Sequence, residues 1–177
     1  MLSLNTNKLT PLSIGALLVI AGVVLKNTSE QLKNAPNHPM NTAGMACFVL
    51  GWLTVGYAVS ITSAGKLAVN ARTVIVFACA LSILGSVMLM KKAMAAKKQP
   101  APWMPILFAG AWILLGWMTG SSPATRVMGL VAAGCVLVSM MQVLPWQRKN
   151  NIVDGAGMPL FVIAWALLAV ANSATNL

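Results

Sequence analysis

Acidic residues are nearly missing from this sequence. Glu30 and Asp154 are the only two in 177 residues, and with twelve Lys and Arg they bring the charged fraction to 8%. Soluble domains carry roughly 25%, so there is too little charge here to clothe a water-soluble globule. The chain is instead 58% hydrophobic, with a mean hydropathy of +0.80. A disordered chain needs low hydrophobicity, and a coiled coil needs charged flanking positions; both are excluded. The expectation is an all-α, polytopic membrane protein.

The chemistry of active sites is scarce as well. No carboxylate falls inside an apolar run, whereas ion-coupled carriers usually hold one at depth. The single histidine, His38, lies between Asn37 and Pro39 in a connection and is a poor proton relay. Cys47, Cys79 and Cys135 all fall in apolar runs. An odd number of such thiols reads as small packing residues, neither a disulfide framework nor a metal site. There is no GxSxG elbow, HExxH, Walker loop or CxxC, and Gly155-Ala-Gly157 is only a fragment of a dinucleotide fingerprint. The reading is a non-enzyme with no catalytic residue, metal or cofactor.

Long apolar runs are what the chain does have. A helix needs about 20 apolar residues to cross a hydrocarbon core of roughly 30 Å. Stretches near that length run over residues 9–25, 41–63, 71–90, 101–120, 124–145 and 155–174. They predict a bundle of six transmembrane helices in one membrane domain covering 1–177. Gly15-Ala-Leu-Leu-Val-Ile-Ala-Gly-Val-Val-Leu25 is apolar at every position, so the alternation of a β-barrel is absent. The first run also lacks a small-x-small cleavage site after Leu25 and reads as a retained span.

Basic residues set the expected orientation. Lys26, Lys33, Lys91, Lys92, Lys97, Lys98, Arg148 and Lys149 lie in the odd-numbered loops, against Lys8, Lys66, Arg72 and Arg126 on the other side. That excess predicts cytoplasmic odd loops, with both termini opposite. Asn27-Thr28-Ser29, formally a glycosylation sequon, then adjoins a span end on the cytoplasmic side. Trp103 and Trp146 sit at span ends as interface anchors, whereas Trp52, Trp112, Trp117 and Trp165 lie deeper and read as packing or lipid contacts.

Spacing suggests an internal repeat. Lys8, Arg72 and Arg126 open the odd spans, and Trp52, Trp112 and Trp165 follow them in the even spans after 44, 40 and 39 residues. The implied unit is a helical hairpin in three parallel copies about an axis along the membrane normal. Lipid supplies no hydrophobic pull between helices, so small residues that permit close approach mark the contacts. The candidates are Gly15 with Gly22, Gly44 with Gly51, Ala78 with Ser82 and Ser86, Gly116 with Gly120, and Gly129 with Ala133.

Few polar groups remain inside: Thr54, Ser60, Thr62, Ser82, Ser86, Thr119, Ser139 and Gln142. They can bond between helices or, through Thr54, Ser60, Ser82 and Gln142, line a path for a small neutral or anionic solute. A path predicts a shared polar stripe, and a scaffold predicts a packed centre with the polar groups paired off. The basic residues Lys91, Lys92, Lys97, Lys98, Arg148 and Lys149 are expected to meet anionic lipid or an acidic partner, with no role for nucleic acid.

The segment His38-Pro39-Met40-Asn41-Thr42-Ala43-Gly44-Met45, running into Phe48-Val49-Leu50-Gly51-Trp52, resembles small multi-span membrane proteins of large double-stranded DNA viruses of algae. The resemblance implies a component of the virion's inner lipid membrane in contact with capsid proteins. It carries over no catalytic residues.

Overall fold

The computed structural model describes residues 3–33, 38–96, 98–141 and 157–175. Among them are six helices: α1 (Thr6–Gln31), α2 (Pro39–Ser60), α3 (Ala71–Ala95), α4 (Trp103–Thr119), α5 (Pro123–Met141) and α6 (Gly157–Ser173). The expected Lys97, Gln142, Trp146, Arg148 and Lys149 lie outside the described residues. The helices α1, α2 and α3 are long and apolar enough to cross a membrane. The other three are apolar but shorter. With 17 residues α4 rises about 26 Å at 1.5 Å per residue, a little under the usual core thickness.

Local chemistry explains where the helices start and stop. Asn5 caps α1, its side chain accepting from the Asn7 N–H at 3.0 Å. At the far end α1 runs on past Lys26, because Lys26 to Glu30 is polar yet helix-compatible and closes an i, i+4 ion pair at 3.9 Å. The limit of the apolar run is therefore not the limit of the helix. His38 caps α2: its Nδ1 accepts the Met40 N–H at 3.3 Å, with Pro39 in the first helical position. The same helix stops at Ser60, short of the expected 63, because Ile61 turns extended and pairs with Leu67 across a turn holding Gly65 at φ +77°. Asn70 accepts from the Thr73 N–H at 3.1 Å at the start of α3. That helix continues through Lys91-Lys92, where a cation in the last turn suits the helix dipole. Pro102 and Gly120 bound α4. In the first turn of α5, Ser122 and Thr125 each accept the other's backbone N–H.

Each helix packs on its neighbours in the chain, and α1 closes the ring against α6. The tails are stitched together beside that closure. The Asn5 N–H donates to the Ser173 carbonyl at 2.8 Å, and the Thr175 N–H to the Ser3 carbonyl at 3.0 Å. The Asn5 and Asn7 amides both reach the Ser63 carbonyl, drawing the α2–α3 connection to the same end.

Glycines make the closest seams. Gly22 and Gly44 face each other across α1 and α2: a Cβ on Gly22 would lie 2.8 Å from the Gly44 carbonyl oxygen. Gly15 and Gly51 repeat the contact nearer the other end. Gly116 of α4 and Gly129 of α5 are closer still, since a Cβ on either would overlap the other's carbonyl, and Ala133 lies beside them. Gly120 packs on the backbone of Thr125 and Arg126. On α3 the small-residue stripe is not the packed face. Ser86 is buried, but Ser82 is half-buried and Ala78 is exposed. Val76, Cys79, Ala80 and Ile83 take the inward side, and α3 meets α2 by laying the Phe77 ring on Gly56.

Candidate functional site

The even helices meet through their largest side chains. Trp52 from α2, Trp112 from α4 and Trp165 from α6 converge on the axis of the bundle, with ring centroids 5.3 to 5.7 Å apart in all three pairings. Two of these pairs are edge-to-face, and the Trp52–Trp165 pair is tilted at 55°. Behind each indole, one turn earlier on the same helix, stands a phenylalanine edge-on to it: Phe48, Phe108 and Phe161, at 6.4, 6.5 and 6.1 Å. Ring quadrupoles favour such edge-to-face pairs by about 0.5–1.5 kcal/mol each beyond their packing. All three indoles are at most 3% exposed. Their Nε1–H groups are buried without a hydrogen-bond acceptor. An edge-on approach sets an indole's positive rim against a negative ring face, which is an acceptor an N–H can use.

The signal for this cluster is in the sequence, in a form that base-to-Trp spacing does not capture. Phe-x-x-x-Trp occurs once in each even helix, at 48/52, 108/112 and 161/165. A spacing of four puts both rings on one helix face. The fourth deep tryptophan, Trp117, is elsewhere: it is 44% exposed and lies under the Arg126 guanidinium, 4.9 Å from its ring centre.

The candidate path-lining hydroxyls are not brought together. Thr54 donates to the Leu50 carbonyl at 2.8 Å, Ser86 to Ile83 at 2.9 Å, Thr119 to Leu115 at 2.7 Å and Ser139 to Val136 at 2.7 Å. Each of these bonds stays within its own helix. Ser82 is half-buried, Thr62 is exposed, and Ser60 is buried with its hydroxyl unpartnered. Among the described residues a polar bond crosses between even helices where the Asn172 amide donates to the Ala58 carbonyl at 3.2 Å.

Both ends of the bundle are basic, but their charges are arranged differently. At one end Glu30 takes Lys91 at 3.4 Å and Lys26 at 3.9 Å, with Lys92 and Lys98 exposed nearby in sequence. Trp103 opens α4 and is 51% exposed. At the end of the joined tails stand Lys8, Arg72 and Arg126, each in the first turn of an odd helix. Among the described residues no three His, Cys, Asp or Glu side chains gather as a metal would need.

No family model, curated protein or solved structure matches this chain.

Proposed function

We propose that this is a non-enzymatic integral membrane protein of six spans, built from three tandem hairpins, that serves as a structural component of a larger membrane-associated assembly. The observation that carries this reading is the axis. Three tryptophans, each backed by a phenylalanine, fill it, and the Thr54 and Thr119 hydroxyls are bonded back to their own helices. The recurrence of Phe-x-x-x-Trp in each even helix, after a base at the start of each odd one, supports the three hairpin units.

The outward faces suit lipid or neighbouring proteins. Leu17, Val74, Ile106, Val127 and Ile163 are each about half exposed or more. The basic loops, with Lys91, Lys92, Lys97, Lys98, Arg148 and Lys149, face the cytoplasm in this reading and meet anionic lipid or acidic partners. The resemblance of the segment from His38 to Trp52 makes the inner membrane of a large DNA virus, beneath its capsid, the proposed setting. Extraction in mild detergent, followed by sizing and mass spectrometry, tests this. A fixed set of membrane or capsid subunits is expected to travel with the protein. Recovery alone, or as a small homo-oligomer, would contradict the assembly.

A further inference from the structure

The end where the tails join holds a second arrangement, independent of the aromatic axis. Lys8, Arg72 and Arg126 come from three different helices, yet they lie close enough for Lys8 to repel Arg72 and for Arg72 to repel Arg126. All three are half-buried. Each also stands in the first turn of its helix, at the positive end of the dipole, where a cation is disfavoured and an anion is stabilised. Among the described residues no helix has an acid in its first turn. Among the described residues the only carboxylate is Glu30, held by Lys26 and Lys91 at the opposite end. Folding has therefore gathered three cations and three helix N-termini with no negative group among the described residues to offset them.

A cavity of about 210 Å³ opens at this cluster, lined by Arg72, Trp117, Met118, Gly120, Ser121 and Arg126. Trp117 holds the Arg126 guanidinium from one face. The Arg126 Nε–H is buried and has no acceptor. Arg72 spends one donor on the Met118 carbonyl, which fixes its guanidinium at the cavity wall and leaves its other N–H groups for a ligand. Drug-sized ligands occupy pockets of about 300–1,000 Å³, so this one takes a small group. Paired guanidinium forks beside a helix N-terminus match the geometry and charge of a phosphate.

We propose that Arg72 and Arg126, with Lys8 adding charge, form a binding site for a phosphate group at the end of the bundle where the two tails meet. That chemistry is shared by an anionic phospholipid headgroup and by soluble phosphate, and the test separates the two. Full-length protein in uncharged detergent is titrated at constant ionic strength with inorganic phosphate and, in parallel, with phosphatidylglycerol against phosphatidylcholine. Thermal unfolding and native mass spectrometry report binding. Stabilisation by inorganic phosphate assigns a soluble ligand; retention of phosphatidylglycerol without a phosphate response assigns a headgroup; a response to both assigns the phosphate group itself. In each case Arg126→Gln and Arg72→Gln are expected to weaken binding roughly tenfold or more, while Lys33→Gln, exposed at the other end, leaves it unchanged. Should Arg126→Gln not fold, Arg126→Lys keeps the charge but loses the fork, and the same loss is expected of it. If neither ligand binds, or if Lys33→Gln weakens binding as much as Arg126→Gln, the site does not exist.

Discussion

The even and odd helices hold this bundle together by opposite means. On α2, α4 and α6 the inward face carries tryptophan backed by phenylalanine, and those helices meet across the axis at a distance set by indole rings. On α1 and α5 the contact faces carry glycine, and these helices approach α2 and α4 until backbones touch. Large residues on the axis need small ones around it. Three even helices spread by indole rings leave gaps between them, and α1 and α5 come closest to their neighbours where glycine leaves out a Cβ. The odd helix α3 is the exception that fits the rule, since it reaches α2 by laying Phe77 against Gly56 on the other helix.

The largest effect should come from emptying the axis. Trp112→Ala removes the most deeply placed ring, which is 1% exposed, and is expected to cost about 3–5 kcal/mol of bundle stability in detergent. Loss of its partners should also lower the near-ultraviolet circular dichroism of Trp52 and Trp165. A cost near zero would mean that the rings only fill space.

Overfilling a seam comes next. Gly116→Leu sets a branched side chain against the Gly129 carbonyl and should destabilise by about 1–3 kcal/mol or more, read from the same unfolding curves. Gly134→Ala is the control within the same contact pair of helices, because a Cβ there meets nothing within 4 Å. Replacing glycine in an open helical position should stabilise by about 0.5–1 kcal/mol. Equal effects from the two glycines would erase the distinction between seam and surface.

A smaller effect separates the two ends. Salt screens the repulsion among Lys8, Arg72 and Arg126 but also weakens the Glu30 pairs. In phosphate-free buffer, Lys8→Met should reduce the stabilisation that salt brings, and Glu30→Gln should increase it. Both shifts are expected to be at most about 1 kcal/mol, because these groups are partly solvated. Thermal unfolding across a salt series measures them.

Much of the helical layout was legible in the sequence, because a run of twenty apolar residues has few other uses. The ends were less so. At Lys26 the apolar run stops but the helix continues to Gln31, since polarity marks where water begins and not where hydrogen bonding ends. Ala78 and Ser82 lie on the stripe that small-residue spacing selects, yet the inward side of α3 belongs to Val76 and Ile83. Spacing identifies a face without saying which way it turns. The aromatic axis was written in the chain as three Phe-x-x-x-Trp pairs, but an apolar tryptophan in an apolar helix looks the same facing lipid or facing another tryptophan. Nor could spacing show that Lys8, Arg72 and Arg126 come together, because that follows from which helix ends share one side of the ring.

In the function proposed above, the axis is closed and the protein acts through its surfaces. Flux through proteoliposomes tests it most directly, using chloride and a small neutral solute with protein-free vesicles as the background. Flux is expected to stay at background, with no gain on adding protein. A protein-dependent flux, lost on replacing Thr54 or Ser60 by a hydrophobic residue, would contradict it.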